Sequence, residues 1–345
     1  MPGARKTVFR LLSSVAKIIP LKTYKWMTGK RTIFPFYHLV SDEAVPHVKF
    51  LYQTRTTKEF NNDLEYFLKN YTPIGITDLL EAVRSDQILP ENSFLLSFDD
   101  GLREFHDIVA PVLLRKGIPA VCFLNSAFVD NRDLFYRYKA SLLIGRIKEM
   151  DPTILQHGST GVWFRDHNLS GIPNHYGLLQ IPYADHHLLD ELAVLLDYDF
   201  TEYLRKNRPY LDSGEIRSLI GQGFTFGAHS IDHPEYRFLA ENEQLRQTAG
   251  SIQSLREKFG LKMSLFSFPF TDFGIPRSFF DKIFDPADPV ADITFGGAGM
   301  KNDSVRQNFQ RIPFEGSNLN AKQILLTEYL YYMIKSIFGK NLIRR

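Results

Sequence analysis

The sequence predicts an α/β fold built on parallel strands, arranged as a sheet or a barrel. Three observations lead there. Apolar runs of strand length recur at residues 93–98, 118–124 and 224–228. Stretches with helical periodicity lie between them. Two motifs rich in ligating side chains each follow directly on such a run. They are Ser97-Phe98-Asp99-Asp100-Gly101 and, 130 residues later, His229-Ser230-Ile231-Asp232-His233. The carboxyl ends of strands are where α/β barrels collect catalytic groups.

The elements follow in order. Residues 33–39 read as the first strand. Thr57 reads as an N-cap, and Phe60, Leu64, Phe67 and Leu68 form the stripe of the helix behind it. A short strand at 71–76 leads into a helix capped by Thr77. The acidic motif ends the next strand, Gly101 permits a sharp turn, and 103–116 is helical. The strand at 118–124 carries Cys122, the one cysteine. A lone thiol excludes an intramolecular disulfide and reads as core.

Residues 131–211 break this rhythm and are too long for a simple loop. Helices at 134–149 and 186–196 flank a Gly-rich polar stretch, so the region reads as a mostly helical insert on the catalytic face, shaping the substrate groove. Its histidines, His157, His167, His175, His186 and His187, lack the spacing of a ligand pair. The strand–helix alternation resumes with a helix capped by Ser213, then the His-motif strand. A helix at 241–259 turns Leu245, Ile252, Leu255 and Phe259 inward. Strands at 266–270, 292–295 and 309–314 and a terminal helix at 318–338 complete the chain.

With 41 basic and 39 acidic residues, the chain has no charge excess that points to nucleic acid. The 29 Phe and 16 Tyr suit a barrel core. The N-terminus is different. Residues 1–41 hold eight Lys or Arg and no acidic residue. Val8, Leu12, Val15 and Ile19 fall on one helical face, with Leu11 and Ile18 beside it. Two readings stay open: a basic amphipathic helix on an anionic membrane surface, or a helix packed on the barrel. The expected division is a segment 1–31 and a barrel 32–345. The expected location is cytoplasmic, peripheral on the inner face of the membrane if the first reading holds.

The two motifs together supply two adjacent carboxylates and two imidazoles. An Asp and two His leave coordination positions open for water and substrate, as in catalytic metal sites. The spare carboxylate could take a proton from water.

In order and spacing these motifs resemble those of polysaccharide deacetylases of the NodB-homology type, carbohydrate esterase family 4. The resemblance runs from about Phe34 to Phe314. It implies an irregular (β/α)7-type barrel, a divalent metal with zinc first, and hydrolysis of the N-acetyl amide of an amino sugar in a polysaccharide, oligosaccharide or lipid-linked glycan. It implies Asp99 as base and Asp100, His229 and His233 as ligands. The same site serves an O-acetyl esterase or a small-amide hydrolase, and a non-catalytic glycan-binding relative is the third alternative.

The later family motifs are altered. Where the family has Arg-x-Pro-aromatic, this chain has Ser267-Phe268-Pro269-Phe270. The backbone N–H of Phe270 is expected at the oxyanion, and Arg311 is the candidate to replace the missing arginine beside the base. No histidine follows His233, so the family's acid on a late strand is absent. The poly-N-acetylglucosamine deacetylase branch carries that histidine near the N-terminus. Tyr37-His38-Leu39-Val40 resembles this arrangement and makes His38 the expected acid.

Overall fold

The computed structural model describes residues 3–151, 158–169 and 176–345; side chains are described from residue 9, except that of residue 10. His157 and His175 lie outside the described residues, and the side chain of Val8 does as well.

The barrel is made of short parallel strands: β1 Pro35–Tyr37, β2 Leu96–Phe98, β3 Ala120–Leu124, β4 Thr225–Ala228, β5 Leu265–Ser267, β6 Ile293–Gly296, β7 Asn308–Gln310 and β8 Ile312–Pro313. Neighbours run β7-β6-β5-β4-β3-β2-β1-β8. β7 and β8 are two halves of one stretch, interrupted at Arg311. The first half pairs with β6 and the second with β1. The stretch therefore closes the sheet into a seven-stranded barrel and leaves no open edge. Arg311 sits at the seam.

Side chains alternate across each strand, so one set fills the lumen. Leu95, Val121, Phe123, Leu265, Ile293 and Phe295 form a buried plug there. Gly227 makes room for it: a Cβ at this position would lie 2.7 Å from the Phe123 ring and 2.9 Å from Leu265 Cβ. Tyr37, Phe98 and Phe105 face outward into the larger core beneath the helices.

The helices in chain order are α1 Gly3–Ala16, α2 Leu21–Thr28, α3 Thr57–Asn70, α4 Ile76–Ser85, α5 Ala110–Lys116, α6 Tyr136–Glu149, α7 Gly158–Asp166, α8 His187–Leu195, α9 Phe200–Asn207, α10 Ser213–Gly221, α11 Glu241–Phe259, α12 Arg277–Ile283 and α13 Ala321–Ile337. Three expected caps shift by one or two residues. Thr56, not Thr57, caps α3, and Asp212, not Ser213, caps α10; each forms a reciprocal box with a glutamate three residues on, Glu59 and Glu215. Helix α4 begins at Ile76 behind Gly75, so Thr77 lies inside it. In α11, Ile252 and Leu255 are buried as expected, while Leu245 and Phe259 are only partly covered.

The insert is helical, with α6, α7, α8 and α9, and has its own core around Tyr138, Leu143, Leu189 and Leu192. At the other pole, α1 lies against α13. Phe9 and Ala16 are buried, and Phe9 meets the Tyr331 ring edge-on at 5.6 Å. Val15 is exposed rather than part of the buried face expected for it. The residues that are buried, Phe9, Ser13 and Ala16, are offset from it around the helix. Among the described residues, no helix is long and apolar enough to cross a membrane.

Candidate active site

Asp99 stands just past β2, its N–H bonded to Tyr37 O at 3.0 Å. The chain then turns sharply: Asp100 has φ 71° and Gly101 φ 64°. His229 stands just past β4, its N–H on Leu124 O at 2.8 Å. Ser230 and His233 also have positive φ, as does Phe270 beyond β5. Such backbone costs of order 1–3 kcal/mol per residue and gathers at functional sites. Here the loop is tied down. Ser230 Oγ accepts from the His233 N–H at 2.9 Å, Gln247 accepts from the Ile231 N–H, and Tyr183 and Gln247 both donate to Asp232.

These turns bring Asp100, His229 and His233 together, all buried. One ligand-capable atom from each lies within 4.8 Å of the others. Nε2 of His229 is 3.5 Å from Asp100 Oδ1, and Nε2 of His233 is 3.2 Å from it. The arrangement fits a divalent ion on three counts. Asp100 Oδ1 is buried with no hydrogen-bond partner among the described residues, while Oδ2 accepts from Tyr138 Oη at 2.7 Å. His229 Nδ1 donates to Ser267 O at 2.8 Å, which fixes the tautomer and leaves the Nε2 lone pair toward the cluster. Burial lowers the His229 pKa to about 4, so the imidazole is neutral near pH 7.

Asp99 is held from below. Arg311 binds it in a fork, Nη1 to Oδ1 at 2.8 Å and Nη2 to Oδ2 at 2.7 Å. The same guanidinium donates to Ser97 Oγ and Ser267 Oγ, and it lies 4.4 Å over the Phe36 ring. Both partners are almost fully buried. Burial alone would raise the Asp99 pKa; the charge of Arg311 overrides this and holds it below the usual carboxylate range. Ser267, where the family motif has arginine, thus becomes a hydrogen-bond partner of the arginine from the seam.

His38 follows β1. Its Nδ1 donates to Glu315 Oε1, and Glu315 Oε2 accepts from the N–H of His38 at 3.0 Å and of Leu39 at 3.3 Å. Burial favours neutral imidazole, but the Glu315 carboxylate outweighs it and raises the pKa to about 9. His38 is therefore a cation near pH 7. The Phe270 ring lies 4.8 Å from the His233 ring, and among the described residues its N–H donates to no group.

Sequence reasoning missed three groups here. Glu315 follows the closing stretch with no motif around it. Tyr138 and Phe135 come from the insert; the Phe135 ring lies 4.1 Å from the His233 ring. Among the described residues, the insert histidines His167, His186 and His187 are not part of the cluster. His167 and His186 donate Nδ1 to helical carbonyls of Trp163 and Tyr183.

Comparison with known proteins bears on the family and the fold. A 95-residue stretch is 33% identical to poly-β-1,6-N-acetyl-D-glucosamine N-deacetylase of Escherichia coli K12, covering 27% of this chain and 14% of that protein. The chain thus matches only a small part of that relative's length. Among solved structures, deacetylase PplD of Streptococcus pyogenes in complex with acetate superposes with a TM-score of 0.53 at 10% identity, covering 87% of this chain and 98% of that one. IcaB from Ammonifex degensii gives 0.52 at 14% identity, covering 87% and 96%. At such identities the likeness establishes the barrel fold alone. The polysaccharide deacetylase family itself matches residues 86–275, a span that opens before the acidic motif and closes after Phe270. That is more than half of the sequence, and on it the chain belongs to the polysaccharide deacetylase family.

Proposed function

We propose that the chain hydrolyses the N-acetyl amide of an amino sugar within a glycan, with a divalent ion, zinc first, as cofactor. One observation carries the reading: a buried carboxylate, Asp99, is clamped in its ionised form beside a separate Asp-His-His cluster. A structural metal site has no use for that extra charge.

Asp100 Oδ1 and the Nε2 atoms of His229 and His233 would hold the ion, which when bound polarises the acyl carbonyl and makes water more acidic. Asp99 takes a proton from the attacking water, and Arg311 keeps it ionised and oriented. The Phe270 N–H donates to the developing oxyanion. His38, protonated through Glu315, delivers its proton to the amine nitrogen as the C–N bond breaks. Acetate and a free amino sugar leave. Tyr138 and Ser267 O fix the orientation of the ligands.

The test is acetate release from N-acetylated hexosamine oligomers by metal-loaded protein. The wild type should release it. Asp99→Asn should keep the ion and lose turnover by roughly 10²-fold or more. Metal-loaded protein that cleaves only O-acetyl esters, or nothing, would overturn the reading.

We also propose an anionic lipid surface as partner of the N-terminal helices. Leu11, Val15, Ile18, Trp26 and Met27 are exposed apolar side chains in a segment without acidic residues. Trp26 is 80% exposed and the other tryptophan, Trp163, is buried, so a blue shift of tryptophan fluorescence on anionic vesicles, reversed by salt, reads this contact.

A further inference from the structure

Opposite the reacting centre, toward the amino-terminal ends of the strands, α4 packs on the barrel and Leu79 and Leu80 join the plug. Beside α4 lies a cavity of about 630 Å³ that the mechanism does not use. Its walls are α4 and the loop after it, residues 29–34 leading into β1, and the connection from β6 to β7. Ligand pockets have volumes of roughly 300–1,000 Å³.

The floor is apolar. Phe34 and Phe309 line it, are only partly buried, and stand with their rings 5.4 Å apart. Ile88, also on the lining, is 94% exposed and extends this apolar surface toward solvent. The wall is charged. Arg31 pairs with Glu91 and Arg306 with Asp86, and these charges cancel. Arg345 serves both Asp303 and Asp272, which leaves one negative charge on that buried triad. Lys30 and Lys301 bring two positive charges, and neither has an ion-pair partner among the described residues. The cavity therefore keeps one positive charge in excess. Lys30 Nζ donates to the neutral amide oxygen of Asn302 and lies 5.2 Å over the Tyr332 ring. Burial lowers its pKa to about 8, with no carboxylate to offset the cost of its charge.

These features define the ligand. A bare inorganic anion would leave the phenylalanine floor in water. A purely apolar molecule would bury Lys30 further without a counter-charge. A molecule with one anionic head and an apolar body satisfies both.

We propose that this cavity binds one monoanionic amphiphile, its carboxylate or phosphodiester held by Lys30 and Lys301 and its apolar body on Phe34 and Phe309. The site lies away from Asp99 and His38, so its occupancy leaves the reacting centre open. It is independent of the deacetylase reading. Unlike the surface contact of the N-terminal helices, it holds a single molecule and needs no bilayer.

Isothermal titration calorimetry on the full chain tests the site. The probes are octanoate and dihexanoylphosphatidylglycerol, each below its micelle concentration, so that no membrane is present. Dihexanoylphosphatidylcholine and inorganic phosphate are the controls. At least one probe should bind one molecule per chain, about tenfold or more tighter than either control. The tighter probe identifies the head group, carboxylate or phosphodiester. Lys301→Glu and Lys30→Met, each checked by thermal unfolding, should weaken it about tenfold, and Lys301→Arg should not. Leu11→Glu with Ile18→Glu should bind as the wild type does. No saturable binding of either probe, equal binding of a control, or unchanged affinity in a folded Lys301→Glu or Lys30→Met protein would overturn the site. Loss of binding in Leu11→Glu with Ile18→Glu would move the ligand to the N-terminal helices and overturn it as well.

Discussion

In the proposed mechanism Asp99 works ionised and His38 protonated, and each has a charged partner that sets its state. Asp99 acts ionised, so turnover should rise with pH through its pKa, which Arg311 holds below the usual range. His38 acts protonated, so turnover should fall as pH passes about 9. The two limbs are separately movable. Arg311→Met removes the compensating charge while burial remains, so the acid limb of kcat/KM should move to higher pH, with a stability loss of about 3–5 kcal/mol for a charge left unpaired. Glu315→Gln should move the alkaline limb down from about 9 by roughly two pH units. A limb that stays in place would remove that partner from its role. The same link acts on folding. The raised His38 pKa adds stability that is full below 6.5, its ordinary value, and is lost as pH rises through about 9. Thermal unfolding of wild type against Glu315→Gln should therefore converge at alkaline pH. The sequence showed Asp99, Asp100, His229 and His233 because local motifs carry them. Arg311 was reachable once a missing arginine had been noticed. Glu315, Tyr138 and Phe135 were not legible, since only barrel closure and the packing of the insert bring them to the site.

At the scale of elements, strand and helix order could be read from periodicity, but ends and faces less well. Thr56 with Glu59, and Asp212 with Glu215, are spaced as capping boxes; attending to the glutamates would have placed both caps. Helices α9 and α2 are only eight residues long, and the stripe of α9, Phe200, Tyr203 and Leu204, spans little more than one turn. Helix α1 shows a further limit. Periodicity selects large apolar residues, whereas close helix packing used Phe9 with small Ser13 and Ala16 and left Leu11 and Val15 outside. Gly227 had no visible signal either, yet its place on β4 is dictated by the lumen. Gly227→Ala should destabilise by about 1–3 kcal/mol, because the Phe123 ring and Leu265 Cβ leave no room for a methyl group. The check is thermal or denaturant unfolding. A variant as stable as wild type would show that the plug can shift.

For the whole molecule, the question is whether the N-terminal helices serve the barrel, a surface, or both. Their inner side is structural. Tyr24 is fully buried and stacks on Tyr329 at 5.7 Å, and its hydroxyl reaches Ala16 O. Lys25 ties α2 to Asn70 O and Asn92 Oδ1. Deleting residues 1–30 would therefore remove core as well as any lipid contact, and loss of vesicle binding in that truncation would prove little. The outer side can be changed alone. Leu11 is 69% exposed and Ile18 77%, so Leu11→Glu with Ile18→Glu leaves the Phe9 and Ala16 contacts in place. The double variant should unfold within a few degrees of wild type and lose salt-sensitive binding to anionic vesicles, because it removes apolar contact and adds two repelled charges. Retained binding would show that the outer side does not face lipid, and the N-terminus would then be an outer brace of the barrel and nothing more.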